Sequence, residues 1–132
     1  MAALVVDTSA LMAVLLKEPD AVRYARALGA ASELRMAAPT WLEAAMVATG
    51  RSGRIGQQEL VRFIEKMHIE IVPADHALVE AAYAGWLRWG KGRDAAGLNY
   101  GDCFSYALAM LRQEPLLFKG DDFSQTDVGV GV

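Results

Sequence analysis

The chain has 132 residues, a length that fits one compact domain over residues 1–132. Apolar residues make up 54% of it and aromatic residues only 8%, a composition that favours closely packed helices over an aromatic-rich β-sandwich. The net charge of −3 excludes an overall polycation for nucleic-acid binding, although a local basic patch is compatible with it.

Cysteine, histidine and hydropathy patterns exclude further classes of protein. Cys103 is the only cysteine, so no intramolecular disulfide can form, and His68 and His76 lack the spacing of zinc ligands. No apolar run approaches the roughly 18 residues that span a bilayer, and the first apolar stretch contains an acid. We therefore expect a cytoplasmic protein without a membrane segment.

The first third of the chain predicts a strand, a turn and a helical pair. A strand is predicted for "ALVVD", which ends at Asp7, and a helix for "TSALMAVLLKE". A second helix follows in "EPDAVRYARALGA", with Pro19 near its start and Gly29 near its end. The stretch "ELRMAAP" then predicts a weak second strand.

The middle of the chain predicts two helices separated by a turn, and then a third strand. The first of these helices, "TWLEAAMVATG", begins with Thr40 and Glu43 in capping-box spacing and ends at Gly50. "RSGRIG" predicts the turn, and apolar residues three and four positions apart predict the helix after it. "IEIVP" is the third strand.

The last third predicts two helices around a long loop, followed by short strands. Asp75 caps the helix "HALVEAAYAGWLRWG", and the glycine-rich loop "GKGRDAAGLNYG" leads into the helix "DCFSYALAMLRQE". "PLLFKG" is a strand, "DDFSQT" a turn and "DVGVGV" a frayed final strand. The alternation predicts an α/β fold with a mainly parallel sheet of four to five short strands between helices.

Acidic residues follow strands or begin helices at several places, and each has a structural explanation. Asp7 fits a helix N-cap, Glu43 fits a capping box, and Asp102 fits the first turn of a helix, where the helix dipole favours a carboxylate. Asp121 and Asp122 fit a turn after the fourth strand. Taken singly, these residues leave cap and active site both open.

Taken together, the acids indicate a metal site. In a parallel sheet the ends of strands and the starts of the following helices lie on one edge, where ligands bind. Carboxylates that meet there repel one another and raise one another's pKa unless a cation lies among them. Because the ligands are oxygens without histidine or cysteine, the expected ion is Mg²⁺ or Mn²⁺, which suits phosphodiester hydrolysis.

Basic and aromatic residues lie shortly before Asp102. Arg88, Lys91 and Arg93, with Tyr100, offer cationic and stacking contacts to a nucleic acid strand. A solvated helix end and loop is the alternative interpretation of the same residues.

Four segments in this order resemble the PIN-domain ribonucleases of the VapC toxin type: "VVDTSAL", "TWLEAAMV", "GLNYGDCFSYALA" and "LLFKGDDFSQTDV". The resemblance implies a PIN-like three-layer α/β/α sandwich and an acidic pocket that holds Mg²⁺ or Mn²⁺ and cuts RNA. It assigns the first three acids to Asp7, Glu43 and Asp102. Either Asp121 or Asp122 fills the fourth position, and Asp121 is preferred because it comes first after the strand.

The same resemblance suggests further residues and partners. Thr8 and Ser9 match small hydroxyl residues that position water or phosphate beside the first acid. A VapB-type antitoxin would block the pocket and bind operator DNA through its own domain, and toxins of this type usually form homodimers. Trp86 and Trp89, or the apolar helices after Asp7, are candidates for such interfaces, with core packing as the alternative.

Two other functions compete with the nuclease. One is a Mg²⁺-dependent phosphoryl-transfer domain, but "VVDTS" lacks the paired acids of such sites, and only Lys119 favours it. The other is a catalytically silent PIN-like domain that binds RNA or protein. All four acidic positions are filled, which argues against the loss of activity.

Overall fold

In the computed structural model, which describes residues 2–132, short strands alternate with helices. The elements of this part of the chain are β1 (Leu4–Val6), α1 (Thr8–Leu15), α2 (Ala21–Ala30), β2 (Leu34–Ala37), α3 (Ala38–Lys66), β3 (Ile69–Val72), α4 (His76–Trp89), α5 (Tyr100–Arg112) and β4 (Leu116–Leu117). No helix among these residues has both the length and the apolar composition needed to cross a membrane.

All strand pairs of the sheet are parallel, and the strand order is β3-β2-β1-β4. The chain first proceeds from β1 to β2 and β3 on one side, and later adds β4 on the other side of β1. The carboxyl end of β1, where Asp7 follows Val6, is therefore the point at which the strand order reverses. In sheets of this kind, ligands bind in the crevice at such a point.

Two apolar clusters cover the two faces of the sheet. Side chains of α1, α2 and α3 pack on Leu4 and Val6 of β1, whereas side chains of α4 and α5 pack on Val5 and on Leu116 of β4. Successive residues of a strand point to opposite faces, so β1 is buried on both sides. The predicted three-layer α/β/α sandwich with a parallel central sheet is confirmed, with four strands in the described residues.

The capping box predicted for Thr40 and Glu43 is wrong. Helix α3 begins at Ala38, with proline in its first turn, and its N-cap Ala37 makes no side-chain cap hydrogen bond. Thr40 therefore lies inside the helix, where its side chain is buried. Glu43 lies almost one turn further along and is not needed to begin the helix.

Two other boundaries differ from the prediction. The predicted turn "RSGRIG" is reduced to a kink inside α3 at Ser52 and Gly53, whose positive φ of 61° suits glycine. The predicted final strand "DVGVGV" is wrong, since only an isolated bridge between Leu116 and Val130 forms there. The two glycines that alternate with valines in this segment have no side chains to pack, which weakens a strand.

Candidate active site

Asp7 is both a helix cap and a buried acid at the carboxyl end of β1. Its Oδ2 accepts hydrogen bonds from the Ser9 backbone N at 3.0 Å and from Ser9 Oγ at 2.7 Å, and the first of these caps α1. Its Oδ1 accepts a hydrogen bond from Ser105 Oγ of α5 at 2.6 Å. Asp7 is only 4% exposed, and its side chain is held by hydrogen bonds from two sides.

Asp102 occupies the first turn of α5 and also completes a capping box. Asn99 Oδ1 accepts from the Asp102 backbone N at 2.9 Å, and Asp102 Oδ2 accepts from the Asn99 backbone N at 3.0 Å. Burial raises the pKa of Asp102 to about 7, against the lowering effect of the Asn99 hydrogen bond. The charges of Asp7 and Asp122 contribute to this increase in the pKa, so these acids lie close enough to repel Asp102.

Glu43 reaches the same region from α3. Thr8 Oγ1 donates a hydrogen bond to Glu43 Oε1 at 2.8 Å. Burial raises the pKa of Glu43, the Thr8 hydrogen bond opposes this effect, and the charge of Asp7 adds to it. The carboxylate also lies against the start of α5, because a Cβ atom at Gly101 would be only 2.5 Å from Glu43 Oε2.

The two candidates for the fourth acid differ in what they contact. The charge of Asp122 raises the pKa of Asp102, so Asp122 lies near that carboxyl group. The recorded contacts of Asp121 are those of its backbone oxygen, which accepts from the N and Oγ of Ser124 within the turn. This effect on Asp102 makes Asp122 the stronger candidate of the two for the fourth acid.

The carboxylates share one edge of the sheet without surrounding a single point. In residues 2–132, no group of three or more His, Cys, Asp or Glu side chains is close enough to hold one ion. Asp7, Glu43 and Asp102 are instead hydrogen-bonded to neighbouring hydroxyl and backbone N–H groups. The expected convergence is therefore partial, although the oxygen donors suit a hard divalent ion.

Thr8 and Ser9 direct their hydroxyl groups toward these acids. The backbone oxygen of Thr40, 3.3 Å from Thr8 Oγ1, is a second acceptor for the Thr8 hydroxyl beside Glu43. Ser9 Oγ donates to Asp7 and accepts a hydrogen bond from the Lys119 backbone N at 3.0 Å. Both hydroxyls thus orient carboxylates in this structure, and a role toward water or phosphate stays a prediction.

Ser105 is the contact that the sequence interpretation missed. The side chain is fully buried, and it joins Asp7 to the hydroxyl of Thr40, 3.3 Å away. A serine within an apolar helical run attracts no attention by itself. Its spacing of three residues from Asp102 was the available signal, because residues three apart lie on the same face of a helix.

Lys and Arg side chains of residues 2–132 form their ion pairs with acids other than Asp7, Glu43 and Asp102. Lys119 is adjacent through its backbone, but its Nζ contacts Glu18 at 2.7 Å and Asp20 at 3.0 Å. The carboxylates at the edge are therefore not neutralised by a cationic side chain of the described chain.

The basic residues proposed for RNA binding are partly engaged within the protein. Arg88 pairs with Asp127 at 3.0 Å and lies over the Trp89 ring. Arg93 lies over the Trp86 ring and donates to the backbone oxygen of Leu87. The alternative interpretation was a solvated helix end and loop. The contacts with Asp127, the tryptophan rings and the Leu87 backbone leave less of each guanidinium for a phosphate.

Tyr100 and Lys91 differ from the two arginines. The Tyr100 side chain is 81% exposed and lies edge-on to Phe104. It borders two grooves: one of about 560 Å³ that includes Lys91, and one of about 790 Å³ that includes Glu43. A groove thus runs from the acidic edge to an exposed aromatic ring.

The two tryptophans also differ from each other. Trp89 is half-buried and donates from Nε1 to the hydroxyl of Tyr106 at 3.2 Å, which is the contact of a core residue. Trp86 is 37% exposed and lines the smaller groove, so of the two it is the one available to a partner.

Comparison with known proteins defines the class. The PIN domain family model matches residues 4–129, and the chain therefore belongs to the PIN domain family. Ribonuclease VapC30 of Mycobacterium tuberculosis is 45% identical over 125 residues, which cover 95% of this chain and 95% of that one. The chain is a toxin ribonuclease of the VapC type, a type that generally depends on a divalent metal ion.

Solved structures show the same fold at low sequence identity. The toxin VapC20 of Mycobacterium tuberculosis, described as cleaving the sarcin-ricin loop, has a TM-score of 0.80 and 17% identity, with 98% of each chain covered. VapBC2 of Rickettsia felis, solved with a fragment of promoter DNA, has a TM-score of 0.72 and 13% identity. The match covers 97% of this chain and 96% of that one.

Proposed function

We propose that Asp7, Glu43, Asp102 and Asp122 form the active site of this ribonuclease and hydrolyse RNA phosphodiester bonds with Mg²⁺ or Mn²⁺. The observation that carries the proposal is the pair of buried carboxylates at the reversal of strand order. Asp7 and Asp102 are 4% and 9% exposed, and the pKa of Asp102 is raised to about 7 by burial and by the neighbouring acids. Repulsion of this kind favours the binding of a cation.

The donor set fits Mg²⁺ or Mn²⁺. Both ions prefer carboxylate oxygens, and Mg²⁺ is typically held by one or two carboxylates together with water and substrate phosphate. Asp7 and Asp102 are the residues that would hold the ion, with Glu43 and Asp122 beside them. When bound, such an ion supplies Lewis-acid activation of water and offsets negative charge on the phosphate.

The chain's own groups orient the site. Ser9 and Ser105 hold the two oxygens of Asp7, Thr8 holds Glu43, and Asn99 holds Asp102. Each carboxylate therefore keeps a fixed direction before substrate arrives, which lowers the reorganisation needed for reaction.

Substrate would approach through the groove that joins Glu43 to Tyr100. The exposed Tyr100 ring offers a stacking surface for an unpaired base, and Lys91 on the adjoining groove offers a positive charge to the RNA backbone. Arg88 and Arg93 contribute less, because they are held by Asp127 and by aromatic rings. The proposed substrate is therefore RNA with an accessible single-stranded segment.

Cleavage of labelled single-stranded RNA tests the active-site assignment. The purified protein is expected to cleave with Mg²⁺ or Mn²⁺ and to stop when EDTA is added. Asp7→Asn and Asp102→Asn are each expected to lower kcat by about 100-fold or more, since each removes a proposed ligand. Glu33→Gln is the matched control, because it removes one carboxylate charge far from the site. Undiminished cleavage by either asparagine variant would reject the assignment.

We also propose a VapB-type antitoxin as partner, with binding to operator DNA through the antitoxin alone, and a homodimer of this chain. Support for the antitoxin comes from the Rickettsia felis neighbour, which is a VapBC2 assembly bound to promoter DNA. Exposed Leu42, Met46 and Tyr83 beside the two grooves offer apolar area for such contacts.

Co-expression with the short reading frame immediately upstream of the gene tests the partner proposal. The expected result is a stable complex that lacks nuclease activity and relieves the growth arrest caused by this chain alone. Light scattering of the isolated chain at several concentrations tests the homodimer, and a monomer throughout would contradict it. If no short DNA-binding protein is encoded upstream, the antitoxin proposal loses its basis.

A further inference from the structure

We infer that Ser105 is a positioning residue for the proposed active site, which fixes the Asp7 carboxylate relative to Asp102. The inference rests on the proposed function, because it concerns the geometry of the same two acids. Ser105 lies on α5, three residues after Asp102, and its side chain is fully buried. It is a link between the first strand and the helix that carries the third acid.

The direction of the hydrogen bonds around Ser105 follows from its single proton. An ionised carboxylate can only accept, so the 2.6 Å contact with Asp7 Oδ1 uses the Ser105 hydroxyl hydrogen. The Thr40 hydroxyl, 3.3 Å away, must then donate to Ser105 Oγ. Groups on α3, α5 and β1 thus form one directed chain that ends on Asp7.

The other oxygen of Asp7 is held by a different part of the molecule. Asp7 Oδ2 accepts from Ser9 N and Ser9 Oγ, and Ser9 Oγ in turn accepts from the Lys119 backbone N just after β4. One carboxylate oxygen is therefore tied to α1 and the end of β4, and the other is tied to α5. Without Ser105, only the contacts at Oδ2 would orient the carboxylate, and Oδ1 would lose its partner on α5.

Asp102 and Ser105 share one face of a rigid helix, because they are three residues apart. A hydrogen bond from Ser105 to Asp7 therefore also sets the distance between Asp7 and the Asp102 carboxylate. Alanine would favour the helix more than serine and would fit the same buried space. The requirement at this position is thus for the hydroxyl group, which the fold of α5 itself does not need.

The test compares Ser105→Ala with Tyr106→Phe, which removes a buried hydroxyl from the same helix whose hydrogen-bond partner is Asp127 and not one of the proposed active-site acids. Binding of Mn²⁺ alone is followed by electron paramagnetic resonance, RNA cleavage gives kcat and KM, and thermal melting gives Tm. Ser105→Ala is expected to lower Mn²⁺ affinity and kcat by about 10- to 100-fold, with KM for RNA within about threefold of wild type. Tyr106→Phe is expected to lower Tm, because it removes the hydrogen bond to Asp127, while Mn²⁺ affinity and kcat stay within about threefold of wild type.

Ser105→Cys, which keeps the side-chain size but donates more weakly, is the second variant if Ser105→Ala does not fold. It is expected to shift Mn²⁺ affinity and kcat in the same direction by a smaller factor. Wild-type Mn²⁺ affinity and kcat in a folded Ser105 variant would overturn the inference, as would equal losses in Tyr106→Phe. Asp7→Asn, measured alongside, separates the two proposals. Full activity of Asp7→Asn would reject the proposed active site itself. An inactive Asp7→Asn together with a fully active Ser105 variant would reject only the positioning role of Ser105.

Discussion

The two ends of the parallel sheet carry two acidic clusters, and the negative charges of the two clusters have different kinds of partner. At the carboxyl ends, Asp7, Glu43 and Asp102 are oriented by hydroxyl and amide groups. At the opposite end, Glu33 immediately precedes β2, Glu114 lies two residues before β4, and both contact Arg35. The second cluster thus contains its own cation, whereas the first has no paired cationic side chain within residues 2–132 and is proposed to bind a divalent ion.

Arg35 shows what a structural acidic cluster looks like in this protein. It is 8% exposed, and its guanidinium contacts Glu33, Glu70 and Glu114, each at 2.7 Å. These contacts, that of Glu114 first, raise the pKa of Arg35 above its already high ordinary value. A guanidinium with five fixed donors suits several carboxylates at once, so no further ion is required.

The pairing of nearby cations distinguishes the proposed active site from the structural cluster around Arg35. Lys119 lies next to the acidic edge, yet Glu18 and Asp20 hold its ammonium group and keep it from Asp7. Because Lys119 is paired with Glu18 and Asp20, it does not neutralise the carboxylates at the acidic edge, which stay available to the proposed metal ion. The same number of acids around Arg35 is not available in this way.

Replacing the internal cation is expected to give the largest effect on stability. Arg35→Met removes the charge at similar length and leaves three carboxylates unpaired, which is expected to lower the free energy of unfolding by about 3 kcal/mol. Chemical denaturation measures this change. Because the cluster lies away from the acidic edge, kcat at temperatures well below Tm is expected to be unchanged. A loss of kcat at full folding would show that the two ends are not independent.

Variants of two adjacent aspartates in the turn after β4 test which of them is the fourth acid of the proposed active site. Asp122→Asn is expected to lower RNA cleavage by about 10- to 100-fold, because Asp122 acts directly on the Asp102 carboxyl group. Asp121→Asn removes the same charge one residue earlier and is expected to change cleavage by less than about threefold. Initial rates under saturating metal measure both. Equal losses would restore Asp121 as a candidate for the fourth acid.

A smaller effect on stability is expected from Asp102, which has no cationic side chain paired with it in the described part of the chain. The pKa of Asp102 is about 7 in the folded protein against an ordinary 3.8, so between these values the folded state holds a proton that the unfolded state has released. The stability of the metal-free protein therefore falls as pH rises from about 4 to 7, and the full penalty is present above pH 7.

Asp102→Asn removes this penalty and keeps an oxygen for the Asn99 hydrogen bond. The variant is expected to be more stable than the metal-free wild type at pH 8 by about 1–2 kcal/mol, with little difference at pH 4. Denaturation in EDTA at the two pH values measures the change. Greater stability of the wild type at pH 8 would contradict the raised pKa.

The sequence was sufficient for the features that depend on local pattern. The positions of Asp7 at a strand end and Asp102 in a first helical turn follow from hydrophobic periodicity and cap signals, and both are confirmed. Their structural roles as caps are confirmed as well, so in these two residues the cap role is compatible with the proposed active-site role.

Features that depend on packing between distant segments were not predictable. Glu43 fitted a capping box in sequence, but the helix begins earlier, and only the fold shows that its carboxylate meets Thr8 and Gly101. The choice between Asp121 and Asp122 depends on one step of rotation in a turn, which no local pattern encodes. Ser105 acquires its contact with Asp7 across 98 residues of chain.

Gly101 shows where this protein accepts a weaker helix. Alanine at this position would favour α5 by up to about 1 kcal/mol. Its methyl group, however, would collide with the Glu43 carboxylate, whose Oε2 lies 2.5 Å from the Cβ position. A flexible side chain can move aside, so the fold would tolerate the methyl group while Glu43 would lose its place. Selection for thermal stability alone would therefore drive position 101 toward alanine, and a return to glycine would mark selection for cleavage.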